Sequence, residues 1–283
     1  MRLVRAELLK LRKRWATYIV LGIVLGLMAL VYLLIGLLAQ GASSGPAGLV
    51  TGFPGAYGVI NQFVFGLGSL LAVAYTAAIV GSDWSFGVMR VFIARGESRV
   101  RYVLAKAIGL AIVLALGVLI AYAAGMALSA LASTMLGVSI GEPLGPQGTH
   151  DLAASLLLGT YVLFQRAAIG FAVAMVLRSQ LAGVVVGIVL YIAEPILTFI
   201  LLALSIGGNL RTAGVPDTVQ WYQFLPFSIG DSALAEVATI TDTGSRFEFT
   251  PVPLDQALIA VTAYLVVSLA VAMWSLRRAQ VAG

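Results

Sequence analysis

The stretch YIVLGIVLGLMALVYLLIGLLA, Tyr18 to Ala39, decides the fold. It runs for 22 residues without one Asp, Glu, Lys or Arg. A helix needs roughly 20 apolar residues to cross a bilayer, whereas the apolar core of a signal peptide has only about 7–15. The run is therefore expected to be a retained first membrane span, over about 16–40. Working outward along the chain, five more runs qualify, at about 59–81, 103–135, 153–177, 181–206 and 256–276. The third is long enough to tilt or to begin outside the membrane.

Composition agrees. Of 283 residues, 60% are hydrophobic and 10% charged, against roughly 25% charged in a soluble domain. That is too little charge to face water over a surface of this size. In hydrocarbon each backbone polar group must be paired within the protein, so helices or a closed barrel are the options. Barrel strands alternate over about ten residues; these unbroken runs do not. The absence of cysteine rules out disulfides, thiolate metal sites and cysteine nucleophiles.

Basic residues set the orientation, because Lys and Arg near span ends stay in the cytoplasm. Arg2, Arg5, Lys10, Arg12, Lys13 and Arg14 precede the first span, and Arg90, Arg95, Arg99, Arg101 and Lys106 accompany the link between the second and third. Arg178 sits in the turn between spans four and five, and Arg277 and Arg278 follow the sixth. Residues 41–58 and 137–152 have neither Lys nor Arg, and 207–255 have two against six acids. Both termini are thus expected inside. The net charge of +5 is spent beside spans, which points to lipid headgroups rather than nucleic acid. Gly22/Gly26 and Gly183/Gly187 have the four-residue spacing that lets helices approach closely, within one subunit or across a dimer seam.

Residues 1–15 read as an amphipathic elbow helix, with Val4, Leu8, Leu11 and Trp15 on one face and Arg2, Arg5, Arg12 and Lys13 on the other. Such a helix lies in the interface. The link GSDWSFGVMRVFIARGESRVR (Gly81–Arg101) offers Asp83 or Ser85 as a helix start and Gly96 as a stop, with Phe86, Met89 and Ile93 on one side. Apolar surface of this kind needs lipid or a partner over it.

The Met89–Arg99 stretch resembles the first cytoplasmic loop of ABC-2-type permeases, the membrane subunits of a class of bacterial ABC exporters. Glu7–Arg14 is similar to their elbow, Leu177–Gln180 with Glu194-Pro195-Ile196-Leu197 to their fourth-to-fifth span region, and Trp221–Asp231, with Leu225-Pro226, to their outer loop. The resemblance implies an all-α integral membrane fold of the bacterial inner membrane: an elbow at 1–15 and a six-span domain at 16–283. It implies two copies of a separate ABC ATPase as partners and a second permease subunit, either an identical copy, as a homodimer, or a different chain. A coupling helix near Phe86–Arg95 would dock on the ATPase through Phe86, Met89, Arg90, Phe92, Ile93 and Arg95. A re-entrant outer gate would lie within Val219–Val237, around Trp221, Leu225 and Pro226. ATP and Mg would be bound by the partner. The chain has no Gly-x-x-x-x-Gly-Lys-Ser/Thr phosphate loop of its own, so any ATP motor is another polypeptide.

Arg166 and Glu194 stand inside spans four and five, where an ionisable side chain marks a functional or pairing role. Measured from the turn near Ser179–Gln180, both lie roughly 20–22 Å along their helices, so an antiparallel hairpin brings them level as a possible ion pair. Pro195 can hinge span five. A secondary transporter using these two charges is the alternative function. His150 alone is a poor metal ligand, Ser129, Ser133 and Ser155 have no base at a recognisable spacing, and Asp231 and Glu236 read as solvated.

Overall fold

The structure is a computed structural model that describes residues 2–39, 46–89, 91, 98–141, 146–205, 219–238 and 252–278. Most of the described residues are helical, and no strand is among them. In chain order they form α1 (Arg2–Arg12), α2 (Trp15–Leu38), α3 (Pro46–Thr51), α4 (Ala56–Asn61), a π-helical segment (Gln62–Leu67) and α5 (Gly68–Ser85). Then follow α6 (Arg99–Leu136), α7 (Pro146–Leu177), α8 (Gln180–Ser205), a 3-10 turn (Trp221–Phe224), α9 (Ser228–Ala238) and α10 (Leu254–Arg278).

Six helices are long and apolar enough to cross a membrane: Trp15–Leu38, the continuous Ala56–Ser85, Arg99–Leu136, Leu152–Leu177, Gln180–Ser205 and Leu254–Arg278. Each overlaps one of the six apolar runs. They are not equivalent. In the most apolar 18-residue stretch of each, 61% of the residues are buried in α7 and 6% in α8, so α7 is the central post and α8 a peripheral one. α5 packs on both, α10 packs on α7, and α1 and α2 pack on α6.

Small residues allow the close approaches. A Cβ on Gly81 would stand 2.5 Å from the Gln180 Cα, so the α7–α8 turn rests directly on α5 at a position only glycine fits. A Cβ on Gly170 would stand 2.5 Å from the Val73 carbonyl oxygen, where Thr76 also bonds to the Ala167 carbonyl at 3.0 Å. Gly183 and Gly187 abut Ala174 and Val73, so that pair packs within the chain, whereas Gly22 and Gly26 have open space in front of them.

Three local expectations are corrected. α1 ends at Arg12, Arg14 is extended (φ −86°, ψ 125°), and Trp15 opens α2 with 82% exposure while Leu11 is fully buried. Trp15 therefore does not share the Leu11 face: the chain turns at Lys13–Arg14. Neither Asp83 nor Ser85 starts a helix, because α5 runs through both, and Asp83 points inward with no exposure. Phe86 and Met89 do not share a side either: a turn with Gly87 at φ 69° separates them, leaving Phe86 76% exposed and Met89 buried. Arg90, Phe92, Ile93 and Arg95 lie outside the described residues.

Candidate functional site

Two clusters of buried charge hold the helices together. The first centres on Arg166. The π segment Gln62–Leu67 widens the second span by one turn, a feature common at functional positions. Two of its carbonyls also accept bonds from neighbouring helices. The Phe65 carbonyl accepts from Arg166 Nη1 at 3.3 Å and from Ser69 Oγ at 2.5 Å, and the Gly66 carbonyl accepts from Tyr191 on α8 at 3.0 Å. Arg166 Nη1 also donates to Ser69 Oγ at 3.1 Å, and the guanidinium lies 5.8 Å from the Tyr191 ring centroid.

The other side of Arg166 grips α9. Nη2 donates to the Phe227 carbonyl at 2.9 Å and pairs with Asp231 at 2.5 Å. Gln165 donates to the Pro226 carbonyl at 2.9 Å. A Cβ on Gly230 would lie 3.1 Å from Arg166 Nη2 and 2.6 Å from Val162, so this glycine lets α9 close onto α7.

Glu194 reaches the same turn from α8. Its Oε1 accepts from the backbone N–H groups of Phe227 and Ser228, at 2.6 and 2.8 Å. A helix start leaves N–H groups without partners, and a carboxylate there both accepts those bonds and meets the positive end of the helix dipole. Glu194 thus caps α9 from a different helix. It stands eleven residues before the end of α8 at Ser205, about 17 Å along the axis, so α9 starts deep among the spans and not at their rim. There the cap replaces water.

The expected Arg166–Glu194 ion pair is corrected by this geometry. Their shared level brings them to one turn of chain, but Arg166 pairs with Asp231, and Glu194 is occupied by the α9 backbone. Asp231, read as merely solvated, is 65% exposed and still an ion-pair partner. Pro195 lies inside α8, which runs continuously past it. Of the expected outer-segment residues, Leu225 and Pro226 join the 3-10 turn to α9, while Trp221 is 68% exposed.

The second cluster was missed by the sequence reading. Lys106 on α6 and Asp83 on α5 are both fully buried and form an ion pair, and Tyr102 donates to the same carboxylate oxygen. Lys10 on α1 donates to the other oxygen at 2.7 Å, Arg14 Nη2 stands 3.6 Å from it, and Arg14 Nη1 donates to Ser82 at 2.7 Å. Glu7 lies 3.7 Å from Lys106. Four charges on α1, α5 and α6, with Arg14 from the turn after α1, thus converge three residues before Phe86, at the root of the α5–α6 link. Nearby, Arg178, in a left-handed turn (φ 53°), stacks over Trp84 at 5.5 Å, and Arg99 donates to the carbonyls of Leu276 and Arg277 at 3.0 and 2.7 Å.

Among the described residues no group of three His, Asp or Glu could hold a metal ion. The side chains of His150 and Glu236 lie outside those described. The Arg166 cluster falls wholly within residues 40–282, the part of the chain that matches a family model described as Protein of unknown function (DUF2705). The chain belongs to that family. The family match takes in Asp83, Tyr102 and Lys106 but stops short of α1 and α2.

The match corrects the likeness to ABC-2-type permeases: the family that covers most of the chain is DUF2705. The motifs behind that likeness have a general origin. A basic start and basic links between alternate spans are what the positive-inside bias imposes on many polytopic chains. No curated protein matches the chain.

Proposed function

We propose that this chain is the membrane-embedded subunit of an ATP-driven exporter of the bacterial cytoplasmic membrane. Both termini face the cytoplasm, and the motor is a separate ATPase. The observation that carries the reading is the Asp83–Lys106 cluster. It ties α1, α5 and α6 into one unit at the root of the α5–α6 link, so force on that link would reach three helices together. The link itself exposes Phe86 at 76% and Val91 at 55%, and its neighbours Arg90, Arg95 and Arg99 are basic. A partner offering an apolar pocket rimmed with acid would complete it.

In this reading α1 is an interfacial elbow, and α9 is a re-entrant helix approaching from the outer face. The cargo is hydrophobic or amphipathic, in keeping with the apolar spans. Two chains with two motors form the simplest closed symmetric assembly. ATP and Mg belong to the motor. The alternative, a secondary transporter working through Arg166 and Glu194, has less support, because both side chains are engaged in holding α9.

The test is uncoupling. Phe86→Asp, or charge reversal at Arg90 and Arg95, should lower cargo-stimulated ATPase activity of the purified complex at least tenfold with membrane insertion intact. Unchanged stimulation in both variants would remove the link from the coupling path.

A further inference from the structure

A cavity of about 380 Å³ opens sideways between α2 and α6. Its walls include Leu21 and Val24 on α2 and Val113 and Gly117 on α6, and Leu163 of α7 lies at its inner end. The size falls within the roughly 300–1,000 Å³ of small-molecule sites. From Val113 to Ala121 the groove follows α6 for about 12 Å, most of the ~15 Å depth of one leaflet's hydrocarbon. It is open at Gly117, whose Cβ would meet nothing within 4 Å.

One end is polar. Thr17 and Tyr75 share a hydrogen bond at 2.8 Å, and Tyr18 donates to the Arg12 carbonyl at 2.8 Å, which fixes the end of α1 at the mouth. The exposed Arg12 lines that mouth, and no acid pairs with it among the described residues. Lys13 beside it is exposed too. Three other apolar cavities differ: one between α6, α7 and α10, about 220 Å³, one on α7 and the start of α10, about 370 Å³, and one on α7, α8 and α10, about 290 Å³, have no charged residue in their linings. Among the described residues, the α2–α6 groove joins an apolar slot of leaflet depth to a cationic rim with no acid paired to it.

We infer that this groove is a binding site for an anionic phospholipid, one acyl chain lying between α2 and α6 with the headgroup phosphate on Arg12. An arginine guanidinium suits a phosphate through paired charge-assisted hydrogen bonds, and a lipid in the leaflet at the α1 end enters without leaving the membrane. The inference stands apart from the ATP-driven role and holds without it.

The experiment uses the full chain reconstituted in vesicles containing traces of phosphatidylglycerol with a photoactivatable group in its acyl chain, alongside phosphatidylcholine with the same chain. Phosphatidylglycerol should label α2 and α6 peptides about fivefold more than phosphatidylcholine does, the worth of one basic residue near an anionic headgroup. Arg12→Gln should erase that difference. Gly117→Phe, which fills the slot from its open side, should bring labelling there down to that of the exposed α8 face. Equal labelling by the two lipids in the wild type, or α2–α6 labelling no stronger than on α8, overturns the site. If Gly117→Phe fails to fold, the wild-type ratio and Arg12→Gln still decide.

Discussion

Lys106 and Arg166 are both buried cations, yet they are held by different means. Lys106 sits between two carboxylates, Asp83 and Glu7, and its main partner is as buried as it is. Arg166 is held largely by neutral oxygens, at Phe65, Ser69 and Phe227, and the acid that pairs with it among the described residues, Asp231, is two-thirds exposed. The first arrangement is a closed clamp: both charges of the central pair are fully buried, and each has a further partner of opposite sign, Glu7 for Lys106 and Lys10 and Arg14 for Asp83. The second is a grip with an outlet, since Asp231 can return to solvent when α9 moves. The same chemistry therefore serves a fixed joint at the α1 end and a releasable one at the α9 start.

The sharpest way to break this contrast is to neutralise the clamp. Asp83→Asn leaves the buried Lys106 with Glu7, at 3.7 Å, as its remaining acid among the described residues, and losing one member of a buried pair costs about 3–5 kcal/mol. We expect poor accumulation in the membrane and a large drop in Tm in detergent, with much of the loss recovered by adding Lys106→Met. A smaller loss, about 2–3 kcal/mol, is expected for Arg166→Met: it orphans several buried acceptors at about 1 kcal/mol each but leaves no buried charge. Its readout is faster hydrogen exchange across residues 219–234 with the other helices unchanged. Smallest is Asp231→Asn, the same substitution as at position 83 on an exposed partner, expected to shift stability by under about 1 kcal/mol. Equal penalties for the two Asp→Asn variants would erase the distinction between the clusters.

The sequence revealed these clusters unequally, for a physical reason. Six helical spans were legible because hydrocarbon forces long apolar runs. Arg166 and Glu194 stood out because each interrupts such a run near its middle, and their common level was readable from helical rise. What they bind was not readable, since α9 and the π segment meet them through backbone atoms, and backbone groups carry no sequence signature. Asp231 was discounted because it belongs to a polar stretch between spans. Asp83 and Lys106 were hidden by position. They lie at span ends among many basic residues, where the topological bias already accounts for a charge, so nothing marked them as partners. The small number of fully buried residues on α8 is likewise invisible, because a lipid-facing helix and a core helix are equally apolar.

The central claim is that a separate ATPase meets this chain at the α5–α6 link. The chain contains no cysteine, so Phe86→Cys and Trp221→Cys each carry a single thiol, on side chains 76% and 68% exposed. Thiol-directed crosslinking in native membranes, with the captured partner identified by mass spectrometry, compares the two positions directly. The account predicts a nucleotide-binding ATPase joined to Phe86→Cys and not to Trp221→Cys. An ATPase captured at Trp221→Cys, or at neither position while both variants are folded and labelled, would contradict it.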